Sequence, residues 1–140
     1  MKALILRASV LAVSIAPLMF SADAPSSAGN ASSWNPQAAA SYLDGRMTWW
    51  AGWPNAARDH STFCVSCHTV APYAVSRSSL RAALGEKQPT AIERRLIDNV
   101  TKRVRMWNEV APFYPDKAED PKATESRGTE AILNALVLTS

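Results

Sequence analysis

Cysteine and histidine are scarce in this chain, with two of each among 140 residues. The cysteines can make one disulfide at most, and none if another group takes both thiols. No acid/base or nucleophile constellation surrounds the two histidines, so nothing marks a hydrolase or a transferase. No segment alternates apolar and polar residues with period two, so strands are not expected. Past the N-terminus, no apolar run is long enough to cross a bilayer. Charge of one sign is also lacking. The formal net charge is +3, and basic residues are dispersed or alternate with acidic ones. The exceptions, Arg94-Arg95 and Lys102-Arg103-Val104-Arg105, fit a solvated helix face, so no nucleic-acid partner is expected.

What is present begins with an export signal. Met1-Lys2 and Arg7 make a positive start, and the apolar run from Val10 to Phe20 is too short to span comfortably before small residues follow. Residues 1–24 read as a signal peptide, cleaved after Ala24 or, through Ser26-Ser27-Ala28, after Ala28; an uncleaved anchor is the alternative. Residues 25–34 read as a flexible leader and 35–140 as the folded domain. Processing would remove two positive charges and one negative, leaving about +2 on roughly 115 residues. That length suits one domain with a modest core. The expected location is the periplasm or another exported compartment, with no integral membrane segment after cleavage.

Cys64-Val65-Ser66-Cys67-His68 is the one stretch that names a chemistry. Two thiols three positions apart, followed at once by histidine, form the attachment pattern for c-type haem. On a turn of helix both sulfurs lie on one face and can add to the two vinyl groups of one porphyrin, while His68 supplies the proximal iron ligand. Three other readings compete. A dithiol redox centre would sit on a βαβ pattern, which is not evident. A zinc site from His60, Cys64, Cys67 and His68 would need adjacent residues on one ion, a poor tetrahedral geometry. The third is a chance match. The expected cofactor is one covalent haem c, which would also replace the missing disulfide as a source of stability.

The second axial ligand has three candidates: Met106, then Met47 and His60; an open or water-bound iron is the fourth outcome. Met106 flanks an apolar helix stripe some forty residues past the motif. His60 lies too close before Cys64 to cross easily to the other face. Each methionine is also ordinary core filler. Trp49, Trp50, Trp53 and Trp107 can wall a haem pocket or anchor the core. Arg103, on the inward half of its helix, can pair with a haem carboxylate or snorkel to solvent.

The pattern of elements is all-α: four or five helices with long loops around one haem. Asn35-Pro36 starts the first helix, and Trp53-Pro54 breaks it. Residues 55–69 carry the motif on a short helix or turn. Pro72 opens a helix that stops at Gly85, a left-handed cap. Thr90-Ala91-Ile92-Glu93 is a capping box. It opens a helix striped by Ile92, Leu96, Val100, Val104, Trp107 and Val110, with Arg94, Asp98, Lys102, Arg105 and Glu109 facing away. Pro112 ends it, a proline-punctuated loop follows, and a last apolar helix over SRGTEAILNALVL (126–138) reaches almost to the C-terminus.

The stretch CVSCHT, with helices before and after it, resembles the cytochrome c superfamily. That resemblance implies thioether attachment at Cys64 and Cys67, ligation by His68, and a small cytochrome c-like fold. The family's axial methionine in a proline-containing loop has no counterpart here, so no distal residue is carried over. The stretches DGRMTWWAGWPNAARDHSTFCVSCHT, DNVTKRVRMWNEVAPFYPD and ESRGTEAILNALVL resemble the N-terminal cytochrome c-like segment of bacterial exported proteins that continue into a terpene-cyclase-like helical toroid. On that resemblance, residues 124–140 would begin a further helical domain. The expected function is one-electron transfer with a periplasmic redox partner, more a carrier than an enzyme. A gas or redox sensor or peroxidase-like domain with an open distal site is the alternative, and an interaction module of a larger toroid protein is another.

Overall fold

Asn35 accepts a hydrogen bond from the backbone N–H of Ala38 at 3.0 Å, and Pro36 follows it in the first helical position. This start of α1 (Pro36–Gly52) matches the sequence expectation, as does its end at Trp53-Pro54. The computed structural model describes residues 34–140; the signal peptide and most of the leader lie outside the described residues. After α1 come a single 3-10 turn (Pro54–Ala56), a two-residue ribbon of β1 (Ala57–Arg58) and β2 (Thr62–Phe63), then α2 (Val70–Ala83), α3 (Ala91–Arg105) and α4 (Ala123–Thr139). The described chain is mostly helical. α1 packs on α2 and α3, and α4 packs on the same two helices.

The ribbon corrects the expectation of no strands. It pairs Ala57 with Phe63 and Arg58 with Thr62, antiparallel, which is too short for any period-two pattern to register. His60 and Ser61 at its tip both have positive φ, 52° and 55°. Two left-handed central residues make the turn whose twist matches a hairpin, here without the usual glycine. The Thr62 N–H donates to Asp59 O at 3.0 Å and closes the turn.

α2 begins two residues before the expected Pro72 and stops as expected. Gly85 adopts φ 69°, the Glu86 N–H reaches Arg81 O at 3.0 Å, and the Gly85 N–H reaches Ala82 O at 3.1 Å. That double bond is a Schellman closure, and glycine takes its left-handed position without a Cβ penalty. At α3 the capping box is complete: Thr90 Oγ1 accepts from the Glu93 N–H, and the Glu93 carboxylate accepts from the Thr90 N–H.

α3 departs from expectation at its far end. It stops at Arg105 rather than running to Pro112, and Val104 is exposed while Arg103 is fully buried. The reason lies in what Arg103 meets. Its guanidinium pairs with Glu130 of α4 at 2.5 Å, also fully buried, and donates to Thr62 Oγ1 at 2.8 Å and to Ala111 O at 2.9 Å. A continued helix would carry residue 111 about 12 Å along the axis from residue 103. The chain instead turns back after Met106, bringing Ala111 to Arg103 and burying Val110. The outward residues Arg94, Asp98, Lys102, Arg105 and Glu109 are all exposed, as their spacing predicts.

The core gathers Met47 of α1, Val70 and Tyr73 of α2, Leu96 and Val100 of α3, Leu133 and Val137 of α4, and Phe113 from the loop. Cys64 and Val65 belong to the same cluster. The motif is therefore built into the core on one side.

Candidate functional site

Cys64 to Ser66 form no regular structure, and a turn at Cys67–Thr69 leads into α2. The motif is thus an extended entry followed by a turn, not one continuous helical turn. Ser66 organises the transition. Its hydroxyl accepts from the Thr69 N–H at 2.9 Å, and its carbonyl accepts from the Val70 and Ala71 N–H groups. A serine in that position serves as a local cap that starts the next helix.

Upstream, the segment is held by side chains reaching from other elements. The Trp50 indole N–H donates to Cys64 O at 2.7 Å, and the Cys64 N–H donates to Ala56 O at 2.8 Å. Asn99, buried in α3, brackets Phe63: its amide oxygen accepts from the Phe63 N–H at 2.8 Å, and its amide nitrogen donates to Phe63 O at 3.1 Å. A mid-helix asparagine with two buried backbone bonds acts as a missing strand neighbour. The hairpin tip is fixed by Asp59, whose carboxylate accepts from the Ala111 N–H at 2.6 Å and from Arg103 at 3.3 Å. The Ala111 bond, with smaller help from His60 and Arg103, holds the Asp59 pKa below its ordinary value against partial desolvation.

Cys64, Cys67 and His68 all line one cleft of about 570 Å³. Cys64 is 6% exposed, whereas Cys67 and His68 are exposed. Trp50, Trp53, Phe113 and Leu133 supply apolar wall, and the start of α4 contributes Glu125, Ser126 and Thr129. Volume and lining suit a bulky, largely apolar group with polar edges. The tryptophans divide. Trp53 stacks on Trp49 with centroids 5.3 Å apart and planes at 19°, so the cleft wall continues to Trp49 at the surface. Trp107 lies elsewhere, beneath the Arg127 guanidinium.

The distal candidates are not brought into this cleft. Met47 is fully buried in the core. Met106 caps α3 and borders a separate depression with Asp98, Thr101, Lys102 and Arg105. His60 sits at the hairpin tip, its Nδ1 3.4 Å from the Asp59 carboxylate. None of the three is among the cleft's lining residues, and His68 is the one histidine there. Arg103, read as either a haem-carboxylate partner or a snorkelling side chain, does neither: it is fully buried, paired with Glu130, and not among the cleft's lining residues.

Two rival chemistries find little support in this geometry. Among the described residues, no three His, Cys, Asp or Glu side chains gather as a metal-binding set, so the zinc reading lacks its ligands. Burial pushes the Cys64 thiol pKa up, against smaller lowering by Arg58 and Arg103. Reactive dithiols need the opposite shift. The two thiols and the imidazole do fit a group that bonds covalently to sulfur and takes one nitrogen ligand.

Sequence reasoning missed Asn99, Asp59, Glu130 and Arg58. Asn99 left a faint signal, a polar residue in register with Leu96 and Arg103 on the helix's inner side. Asp59 and Glu130 are partners across long loops, for which sequence spacing carries no information, and Arg58 bonds only neighbouring carbonyls, so no pattern sets it apart. Comparison with protein-family models, with curated proteins and with solved structures found no match.

Proposed function

We propose that this chain carries an exported haem c domain that transfers single electrons. The observation that supports this most is the convergence of Cys64, Cys67 and His68 on one cleft of about 570 Å³ with aromatic walls. A haem held there would supply reversible one-electron chemistry at its iron. The chain's own part is to hold it by Cys64 and Cys67, to ligate through His68, and to keep water away with Trp50, Trp53 and Phe113. The polar frame around residues 55–66 keeps the two thiols in place. The test is expression with a c-type maturation system. A haem-stained band that survives denaturing electrophoresis, lost or weakened by replacing either cysteine, is expected. Complete release of haem from the denatured wild type would overturn the reading.

A second reading, a gas or redox sensor or peroxidase-like domain, is favoured by one observation. The residues lining the cleft include no methionine and no second histidine. If His68 alone held the iron of such a group, one position would stay free for a small ligand. The two readings separate in a spectrum: a thioether-ligated ferric haem shows a weak red-edge band, and an open ferrous haem binds carbon monoxide quickly.

A further inference from the structure

Arg58 lines the cleft from β1, and its side chain is incompletely used. Nη1 donates to Asn55 O at 3.0 Å and to Ala57 O at 2.7 Å, which fixes the guanidinium against the 3-10 turn. Nε is buried and has no acceptor among the described residues. Nη2 also has no acceptor among the described residues and, unlike Nε, is not enclosed, so it is the nitrogen that an acceptor on a group in the cleft can reach. The other cations nearby already face carboxylates, one in a buried pair and one in an exposed pair. Arg103 is spent on Glu130, Asp59, Thr62 and Ala111. Lys122, also on the cleft, pairs with Asp120 at 2.8 Å. Among the described residues, no carboxylate lies within 4.0 Å of the Arg58 nitrogens.

We propose that Arg58 is the carboxylate anchor of this cleft, donating through its guanidinium to an acid group at the edge of the bound tetrapyrrole. The inference rests on the haem reading and adds to it a specific role for a residue outside the attachment motif. A planar guanidinium, pinned by two backbone carbonyls and lying 5.8 Å from the Phe113 ring centroid, is pre-oriented for such a bond. A fixed cation at that edge also favours the reduced, less positive iron, so Arg58 would tune the potential as well as seat the group.

The experiment compares the matured wild type with Arg58→Gln, Arg58→Lys and, as a charge-loss control outside the cleft, Arg95→Gln. Covalent attachment is scored first by haem stain. Absence of haem in the wild type would overturn the functional reading itself, apart from any result on Arg58. With haem attached, Arg58→Gln should lower the reduction potential and shift the propionate bending band in resonance Raman spectra. It should also give the potential a dependence on pH, between about 5 and 8, stronger than that of the wild type, as the released carboxylate titrates higher. The other titratable groups on the cleft, His68, Cys64, Cys67, Tyr114, Lys122 and Glu125, are common to all variants. Arg95→Gln should leave the Raman band unmoved. If Arg58→Gln does not mature, Arg58→Lys, which keeps the charge and loses the fork, should still shift the band. An Arg58 variant with wild-type band and wild-type pH profile would overturn the assignment.

Discussion

The segment from Pro54 to Thr69 and the helix α3 are held by different forces, although they meet at Asp59, Thr62 and Phe63. α3 is a self-sufficient element: a capping box at its start, charged residues outward, and Leu96 and Val100 buried against its neighbours. The motif segment has almost no regular structure of its own. Trp50 and Asn99 hold its backbone and Arg103 holds the side chains of Thr62 and Asp59, all three reaching in from elements outside the segment, while Asp59 reaches out to the Ala111 N–H. Apolar packing is tolerant of small shifts, whereas a hydrogen bond weakens steeply with angle. The two cysteines and the histidine are therefore placed by directional bonds, and the helices supply the rigid posts those bonds hang from.

The largest break in that contrast should come from Glu130→Ala. It leaves Arg103 charged, fully buried and short of its main partner, a loss of about 3–5 kcal/mol. Chemical denaturation of the matured protein would measure it, and holoprotein yield should fall as the hairpin loosens. Leu96→Ala, at a site 2% exposed, should cost about 2–5 kcal/mol by the cavity it leaves. The sharper difference is qualitative. Leu96→Ala should lower stability while leaving the optical spectrum of the folded fraction intact, whereas Glu130→Ala should alter both. Equal spectral effects would mean that the polar frame does not position the site.

How far the sequence revealed each region follows from the same contrast. Asn35-Pro36, the Thr90 capping box and Gly85 act within a few residues of themselves, and each was legible because its physics is local. The attachment motif was legible for the same reason: two thiols and an imidazole at fixed spacing are a local chemical fact. The hairpin was not, since two pairings are too few to leave a period-two pattern and the side chains that bond to it, Asn99 and Arg103, come from α3. Val104 and Met106 were misplaced together. A stripe drawn at helical spacing put Val104 inward, but Glu130 on a distant helix claims Arg103 for that position, and the helix then ends before Met106 can face the core.

Asn99→Ala tests the frame with a smaller change. It strips two backbone bonds from Phe63, leaving a buried N–H and C=O without partners, and should cost about 1–3 kcal/mol. Hydrogen exchange should speed up at Phe63 and its neighbours while α3 stays protected.

The smallest effect expected concerns Asp59, and it depends on pH. Its carboxylate accepts from the Ala111 N–H, with His60 and Arg103 adding to the depression of its pKa. A carboxyl with a lowered folded pKa binds protons less readily than it does in the unfolded chain. Its contribution is thus complete above the unfolded value of about 3.9 and is lost as pH falls through the lower folded value. Asp59→Asn keeps an oxygen that can accept from Ala111 but removes the charge facing Arg103. The melting temperature of the wild type should exceed that of the variant near neutral pH, and the gap should close on acidification into that range. The side chain is 31% exposed, so solvent screens the charge and the gap should be small and should shrink further in high salt. A gap that stays constant down to the acid limit would assign the role of Asp59 to hydrogen-bond geometry alone, with the Arg103 pairing contributing nothing.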